Sequence, residues 1–203
     1  TNVSSSDIST FNNTIGGQSL AITGSGSVST AVAGSGKTIS LGTLTLTDGT
    51  GLASNYSLSS GTFDINSRQV NIAGSRIYDG TTAANGSDLV VTTGVGSEIL
   101  TVSGTGSISS ANVGNNKSVT AGSLALSGGS GNASNYTIGT ITLSVTQRTV
   151  NADLEKTYDG NTNVAASSLK TNGISNTVLG HSLTLNGTGT MISTGVGIDK
   201  SVS

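Results

Sequence analysis

Residues 104–138 read GTGSISSANVGNNKSVTAGSLALSGGSGNASNYTI, and residues 24–58 read GSGSVSTAVAGSGKTISLGTLTLTDGTGLASNYSL. Slid by 80 positions, the two lie over one another without a gap. Gly24, Gly26, Lys37, Leu44, Leu46, Asn55 and Tyr56 fall on Gly104, Gly106, Lys117, Leu124, Leu126, Asn135 and Tyr136. Further along, Arg68, Val70 and Asn71 fall on Arg148, Val150 and Asn151, and "RIYDGTTAA" (76–84) falls on "KTYDGNTNVAA" (156–166). A third run, "GTGTMISTGVGIDKSVS" (187–203), places Lys200 at a spacing of 83 from Lys117, so about three residues are inserted there. Chance does not give an ungapped match of this length. The chain is therefore read as a repeat array with a period near 80 residues.

Within each copy the hydrophobic period is two. "TLTLT", "SLALS" and "TITLSV" place apolar residues on one face and small polar residues on the other, the signature of half-buried strands. The links between them, "DGTG", "GGSGN" and "VGNN", are rich in residues that tolerate positive φ. Seven or eight strands per copy are expected. The run "TTAANGSDL" (81–89) has room for one helical turn, but Gly86 and Ser87 interrupt it, so no helix is predicted.

Composition agrees. Of 203 residues, 66 are Ser or Thr, 18 are Asn and 30 are Gly, with no Pro and only 9% charged. A disordered chain of ordinary type needs more charge than this; Thr, Val and Ile suit a pleated surface instead. A net charge of −2 and a pI near 5.1 leave no basic footprint for nucleic acid. No apolar run is long enough to predict insertion in a membrane. Zero Cys excludes a disulfide framework and thiolate metal ligation. With 3% aromatic residues the core is expected to be thin, each unit modestly stable, and end-to-end docking a source of added burial.

The elements Tyr-Asp-Gly-Thr-Thr, Asn-Val-Gly before a Lys, Leu-x-Leu-Ser-Gly, Asn-Tyr-Thr and a closing Thr-Gln-Arg (residues 76–148) resemble the YDG-type repeat, related to MBG-type repeats, of large secreted bacterial adhesins. Those adhesins are of the filamentous-haemagglutinin-like, two-partner-secretion class. The family often closes with Pro before the Arg, where this chain has Gln147. The resemblance implies a β-rich stalk or adhesin module at the bacterial cell surface, extracellular and without catalytic activity.

Tyr78, Asp79 and Gly80, with Tyr158, Asp159 and Gly160, are read as a recurring corner. Asp caps a turn, Gly takes the left-handed position, and Tyr packs its ring while its hydroxyl meets a neighbour. Asn55-Tyr56 and Asn135-Tyr136 are read alike, as a bulky residue opening a strand after an Asn turn.

Other chemistry fits the residues less well. Lys37, Lys117 and Lys200 recur along with Asn55 and Asn135, and with Asp79 and Asp159, as a self-formed Lys–Asn crosslink would need. The plainer reading is a solvated lysine on a strand. "DGNTN" (159–163) spaces Asp159, Asn161 and Asn163 like a calcium loop, but lacks the closing Glu. Eight Asn-x-Ser/Thr sequons, at Asn2, Asn12, Asn55, Asn85, Asn116, Asn132, Asn135 and Asn186, follow from the composition. The one histidine, His181 in "LGHSLTLN", is placed at a strand edge, and no nucleophile elbow surrounds a Ser. "GSGS" and "GTGS" lack the helix and the Lys-Ser/Thr of a phosphate loop. No enzyme, no cofactor and no metal is expected.

The resulting expectation is all-β: β-sandwich or β-grasp-like modules of about 80 residues in tandem, forming an elongated rod. Residues 1–67 make a partial first repeat, 68–147 a complete central one and 148–203 a truncated third. The first copy lacks its Tyr-Asp-Gly strand, unless "SSSDISTFNN" (4–13) is a diverged substitute. The expected function is a structural stalk or spacer. The alternatives are an adhesive module for a glycan or host protein, and a fibre subunit that homopolymerises by strand complementation. Neighbouring repeats are the expected partners.

Overall fold

The computed structural model describes residues 1–8 and 14–203. Its regular elements are strands and short 3-10 turns; no α-helix occurs among the described residues, and none is long and apolar enough to cross a membrane. The first segment holds β1 (Asn2–Ser4), β2 (Leu20–Thr23), β3 (Ser25–Ser27), β4 (Gly34–Thr38), β5 (Thr45–Asp48) and β6 (Thr62–Ile65). The central segment holds β7 (Arg68–Ile77), β8 (Ala83–Asn85), β9 (Leu89–Val91), β10 (Leu100–Ser103), β11 (Thr105–Ile108), β12 (Gly114–Thr120), β13 (Ala125–Gly128) and β14 (Tyr136–Thr146). The third holds β15 (Asn151–Leu154), β16 (Asn163–Ala165), β17 (Leu169–Ser175) and β18 (Thr188–Thr190).

Six central strands form one sheet in the order β8-β11-β12-β14-β7-β9. Every pairing in it is antiparallel except one, where β14 runs parallel to β7 from Tyr136↔Arg68 to Thr146↔Ile77. The strand that opens the segment thus pairs with the strand that closes it. A purely antiparallel two-sheet sandwich has no such parallel pair. The two edge strands, β8 and β9, are consecutive in sequence and joined by the 3-10 turn Gly86–Asp88. Four Cα steps reach at most about 14 Å, so the sheet must curl to bring its edges together. Gly86 and Ser87, expected to interrupt a helical turn, instead form this link.

The core follows the strand period. On β14, Ile141, Leu143 and Val145 are buried, and on β7 Val70 and Ile72 are. Ala84, Leu89, Val91, Leu100, Ile108, Leu124 and Tyr136 complete one cluster around them. A smaller cluster, Val3, Val28, Ile39 and Leu44, serves the first segment. In the third, Val164 is buried while Leu179, Ile192, Val196 and Ile198 are each at least 79% exposed.

Ladders recur at matching register. β2 pairs β5 through Ile22↔Leu46, and β10 pairs β13 through Val102↔Leu126. β4 pairs β6 through Lys37↔Phe63, and β12 pairs β14 through Lys117↔Leu143, each with an irregularity just before the lysine. Val3↔Gly26, Ala84↔Gly106 and Val164↔Gly189 form a third set. The repeated glycine pair thereby gains a physical reason. Gly104 sits at φ +86, and a Cβ on Gly106 would stand 2.8 Å from Leu124 Cδ1. Only glycine fits both places. The third set also corrects the reading of the N-terminus: β1 and the turn Ser5–Asp7 stand where β8 and Gly86–Asp88 stand in the central segment. They do not replace the Tyr-Asp-Gly strand. The rest of "SSSDISTFNN", residues 9–13, lies outside the described residues, as does the sequon at Asn12.

Because Leu143 is fully buried at the centre of the sheet, Leu143→Ala is expected to destabilise the central segment by about 2–5 kcal/mol. Val90→Ala, at a site 70% exposed on an edge strand, should cost no more than about 0.5 kcal/mol. Urea denaturation of the two variants measures both.

Candidate functional site

The Tyr-Asp-Gly corner begins where the parallel ladder ends. The Tyr78 amide donates to Thr146 O at 2.9 Å, one residue beyond the last ladder pair. Asp79 then turns the chain. Its Oδ1 accepts from the Thr81 amide at 2.9 Å and from the Thr81 hydroxyl at 3.0 Å, and Gly80 follows at φ +80. Asp159 Oδ1 accepts from the Asn161 amide at 3.1 Å in the same way, with Gly160 at φ +76. Asp caps its own turn in both copies, as the sequence predicts.

A cation two residues before each tyrosine was not singled out from sequence, although both quoted stretches contain it. The Arg76 guanidinium pairs with Asp79 and donates through Nη2 to Thr81 O at 2.5 Å. Its side chain is 7% exposed, and its buried Nε has no hydrogen-bond acceptor. Lys156 is the counterpart. Its ammonium lies 2.7 Å from Asp159 Oδ1 and donates to Asn161 O and Oδ1, both at 3.0 Å, and to Asn163 O at 2.8 Å. First this ammonium, then the Asn161 amide, hold the Asp159 carboxyl below the usual carboxylate range. The calcium-like spacing of "DGNTN" thus has a tethered cation at its centre. A divalent ion would have to displace Lys156 from the oxygens it needs.

The two tyrosines of the corner differ. Tyr78 packs against the central core. Its hydroxyl lies 3.5 Å from His181 Nδ1, with ring centroids 5.8 Å apart and tilted by 44°. Tyr158 is 64% exposed, against the expectation of a packed ring. His181 follows a turn, with its amide bonded to Val178 O at 2.9 Å, and does not lie on a strand.

Asn55 and Asn135 each end a 3-10 turn, Ala53–Asn55 and Ala133–Asn135. Tyr136 then opens β14 as expected. Tyr56 caps its turn but opens no strand; β6 starts at Thr62. Each hydroxyl finds an acceptor 38 residues upstream. Tyr56 donates to Gln18 Oε1 at 2.5 Å, and Tyr136 to Glu98 Oε2. The Glu98 carboxylate, followed by burial, pushes the Tyr136 phenol above its ordinary value. Gln18 and Glu98 lie 80 residues apart, a match that becomes visible only once the tyrosines are seen to need partners.

The recurring lysines act as clasps. Lys117 Nζ donates to Ser110 O at 3.0 Å, Lys37 Nζ to Thr30 Oγ1 at 3.1 Å, and Lys200 Nζ to Ser193 Oγ at 3.2 Å, each reaching back seven residues across its loop. Asn135 Oδ1 accepts from the Ala33 amide at 2.8 Å. Lys117 and Asn135 have separate partners, which argues against a crosslink between them and also against a simply solvated Lys117.

A cleft of about 480 Å³ opens beside Tyr78, lined also by Val113, Arg148, Val178, His181 and Leu183. A second, of about 690 Å³, lies in the third segment between Leu154, Lys156, Val164, Met191, Ile198 and Lys200. Neither brings a nucleophile, a base and an orienting group together.

A YDG domain is found at residues 65–143, a span that takes in β7 to most of β14. No curated protein and no solved structure matches the chain.

The raised Tyr136 phenol gives a test. A tyrosine held neutral by an acceptor contributes stability below its unfolded pKa of about 10. That stability is lost as pH rises through the higher folded value. Glu98→Gln keeps an acceptor, as Gln18 does, but removes the charge. It is expected to bring the Tyr136 titration to lower pH while leaving the other three tyrosines in place, read from phenolate absorbance in an alkaline titration.

Proposed function

We propose that this chain is a non-catalytic structural repeat, a stalk or spacer in a bacterial extracellular adhesin or surface filament. The observation that carries the reading is where the recurring side chains are spent. Asp79 and Asp159 close their own turns, Lys37, Lys117 and Lys200 clasp their own loops, and Tyr56 and Tyr136 bond inward. What the sequence repeats, the fold uses to hold itself. The YDG domain supports the same class by resemblance.

An adhesive module for a glycan or host protein is the second reading. The cleft that places Tyr78, Arg148 and His181 side by side favours it, since an aromatic face and polar donors are what a sugar ring needs. A tandem array of three such segments, rod-like and placed end to end, belongs to the first reading.

Sedimentation velocity over a range of concentrations tests the spacer. The expected result is one boundary, with a frictional ratio well above that of a compact 19.8 kDa protein and no dependence on concentration. A compact species contradicts the spacer reading. A ladder of oligomers growing with concentration identifies a fibre subunit in its place.

A further inference from the structure

The first and central segments touch through Ala33, whose amide is held by Asn135 Oδ1 at 2.8 Å. Asn135 precedes Tyr136, and the Tyr136 hydroxyl bonds Glu98. Ala33 therefore sits on the corner where the central tyrosine meets its acceptor. The central and third segments touch elsewhere in sequence, yet through matching positions. Ala33 corresponds to Val113 at a spacing of 80. "GHSL" (180–183) corresponds to "GQSL" (17–20), so His181 occupies the place of Gln18 and Glu98. Val113 and His181 line the same cleft.

We infer that one interface is used twice along the chain: the loop bearing Ala33 or Val113 in one unit docks on the tyrosine-acceptor corner, Glu98 or His181, of the next. The Tyr-Asp-Gly corner belongs to this interface. Tyr78 faces His181, and a Cβ on Gly80 would come within 2.8 Å of Val178 Cγ1. Gly80 is thus fixed by its turn and by its neighbour unit at once. The two faces are different surfaces, so the contact is heterologous. A heterologous contact that does not close on itself sets a constant rotation from unit to unit. Consecutive units are then held at a fixed angle instead of being joined by flexible tethers. Tyr78, facing His181, is half-buried, whereas Tyr158 is 64% exposed.

This inference rests on the array reading, in that the segments are treated as copies of one unit. The experiment uses the full chain, which has no Cys and one His. In Gly80→Cys with Val178→Cys, the new Cβ lies 3.8 Å from Val178 Cβ, the usual separation for a disulfide, about 3.8 Å. Mild oxidation should give an intramolecular bond at a rate independent of concentration and much faster than in urea. The φ of +80 at Gly80 strains a cysteine there, so a second measurement accompanies it. The two ring C–H signals of the one histidine, His181, should lose their aromatic ring-current shift in the proton NMR spectrum of Tyr78→Leu. At the first junction, the Ala33 amide should exchange at least about tenfold faster in Asn135→Ala, while the Lys37 amide on β4 is unchanged. Unshifted His181 signals, or Ala33 exchange indifferent to Asn135, overturn the repeated interface. Those results would leave a flexible spacer standing, because the spacer itself fails only on a compact shape or on oligomer growth in the ultracentrifuge.

Discussion

The parallel pairing of β7 with β14 is the constraint on which the rest depends. It joins the first and last strands of the central segment, from Tyr136↔Arg68 to Thr146↔Ile77. It also carries Ile72, Leu143 and Val145, among the most deeply buried side chains of the chain. Parallel pairs cannot be closed by a tight hairpin and need a long crossover. Here the crossover is the whole unit: β8 to β13 are threaded between the two strands. The ladder also determines where the Tyr-Asp-Gly corner falls, since Tyr78 bonds Thr146 as the chain leaves β7. Because the two strands run parallel, the chain enters the ladder at one end, with Arg68 beside Tyr136, and leaves it at the other, with Thr146 beside Ile77.

A core this small does not hold its own loops. Twelve buried residues around two strands leave most connections lying on the surface, and polar tethers hold them there. Arg76 and Lys156 grip the corner, Lys117 grips the loop before β12, and Glu98 takes the Tyr136 hydroxyl. Each such bond contributes only about 0.5–1.5 kcal/mol net. Several per unit nevertheless decide whether loops keep one conformation. The arrangement also exposes a weakness at Arg76, whose buried Nε goes unmatched; buried polar groups of this kind are few in folded chains.

Much of this was legible in the sequence. An alternation of two gave the strands, and a spacing of 80 carried the β2–β5 and β4–β6 ladders of the first segment onto β10–β13 and β12–β14 of the central one, because register travels with sequence wherever one face is buried. Asp79 and Gly80 were legible as a turn because their partners are two residues away. Strand order was not, since nothing local announces that β7 will pair with a strand 68 residues later. The acceptors Gln18 and Glu98 stayed hidden for the same reason. Arg76 and Lys156 were overlooked because they differ in type while sharing a role: each reaches the same carboxylate and the same carbonyl. His181 looked like an isolated residue until the three-residue insertion was placed before it.

The closing ladder should be the last part of the chain to open. Native-state hydrogen exchange on the full chain tests this directly. The amides of Ile72, Leu143 and Val145 should exchange most slowly, and only through unfolding of the whole central segment. If the amides of the β10–β13 pair outlast them, the unit is built around its hairpin, and the parallel ladder is not its foundation.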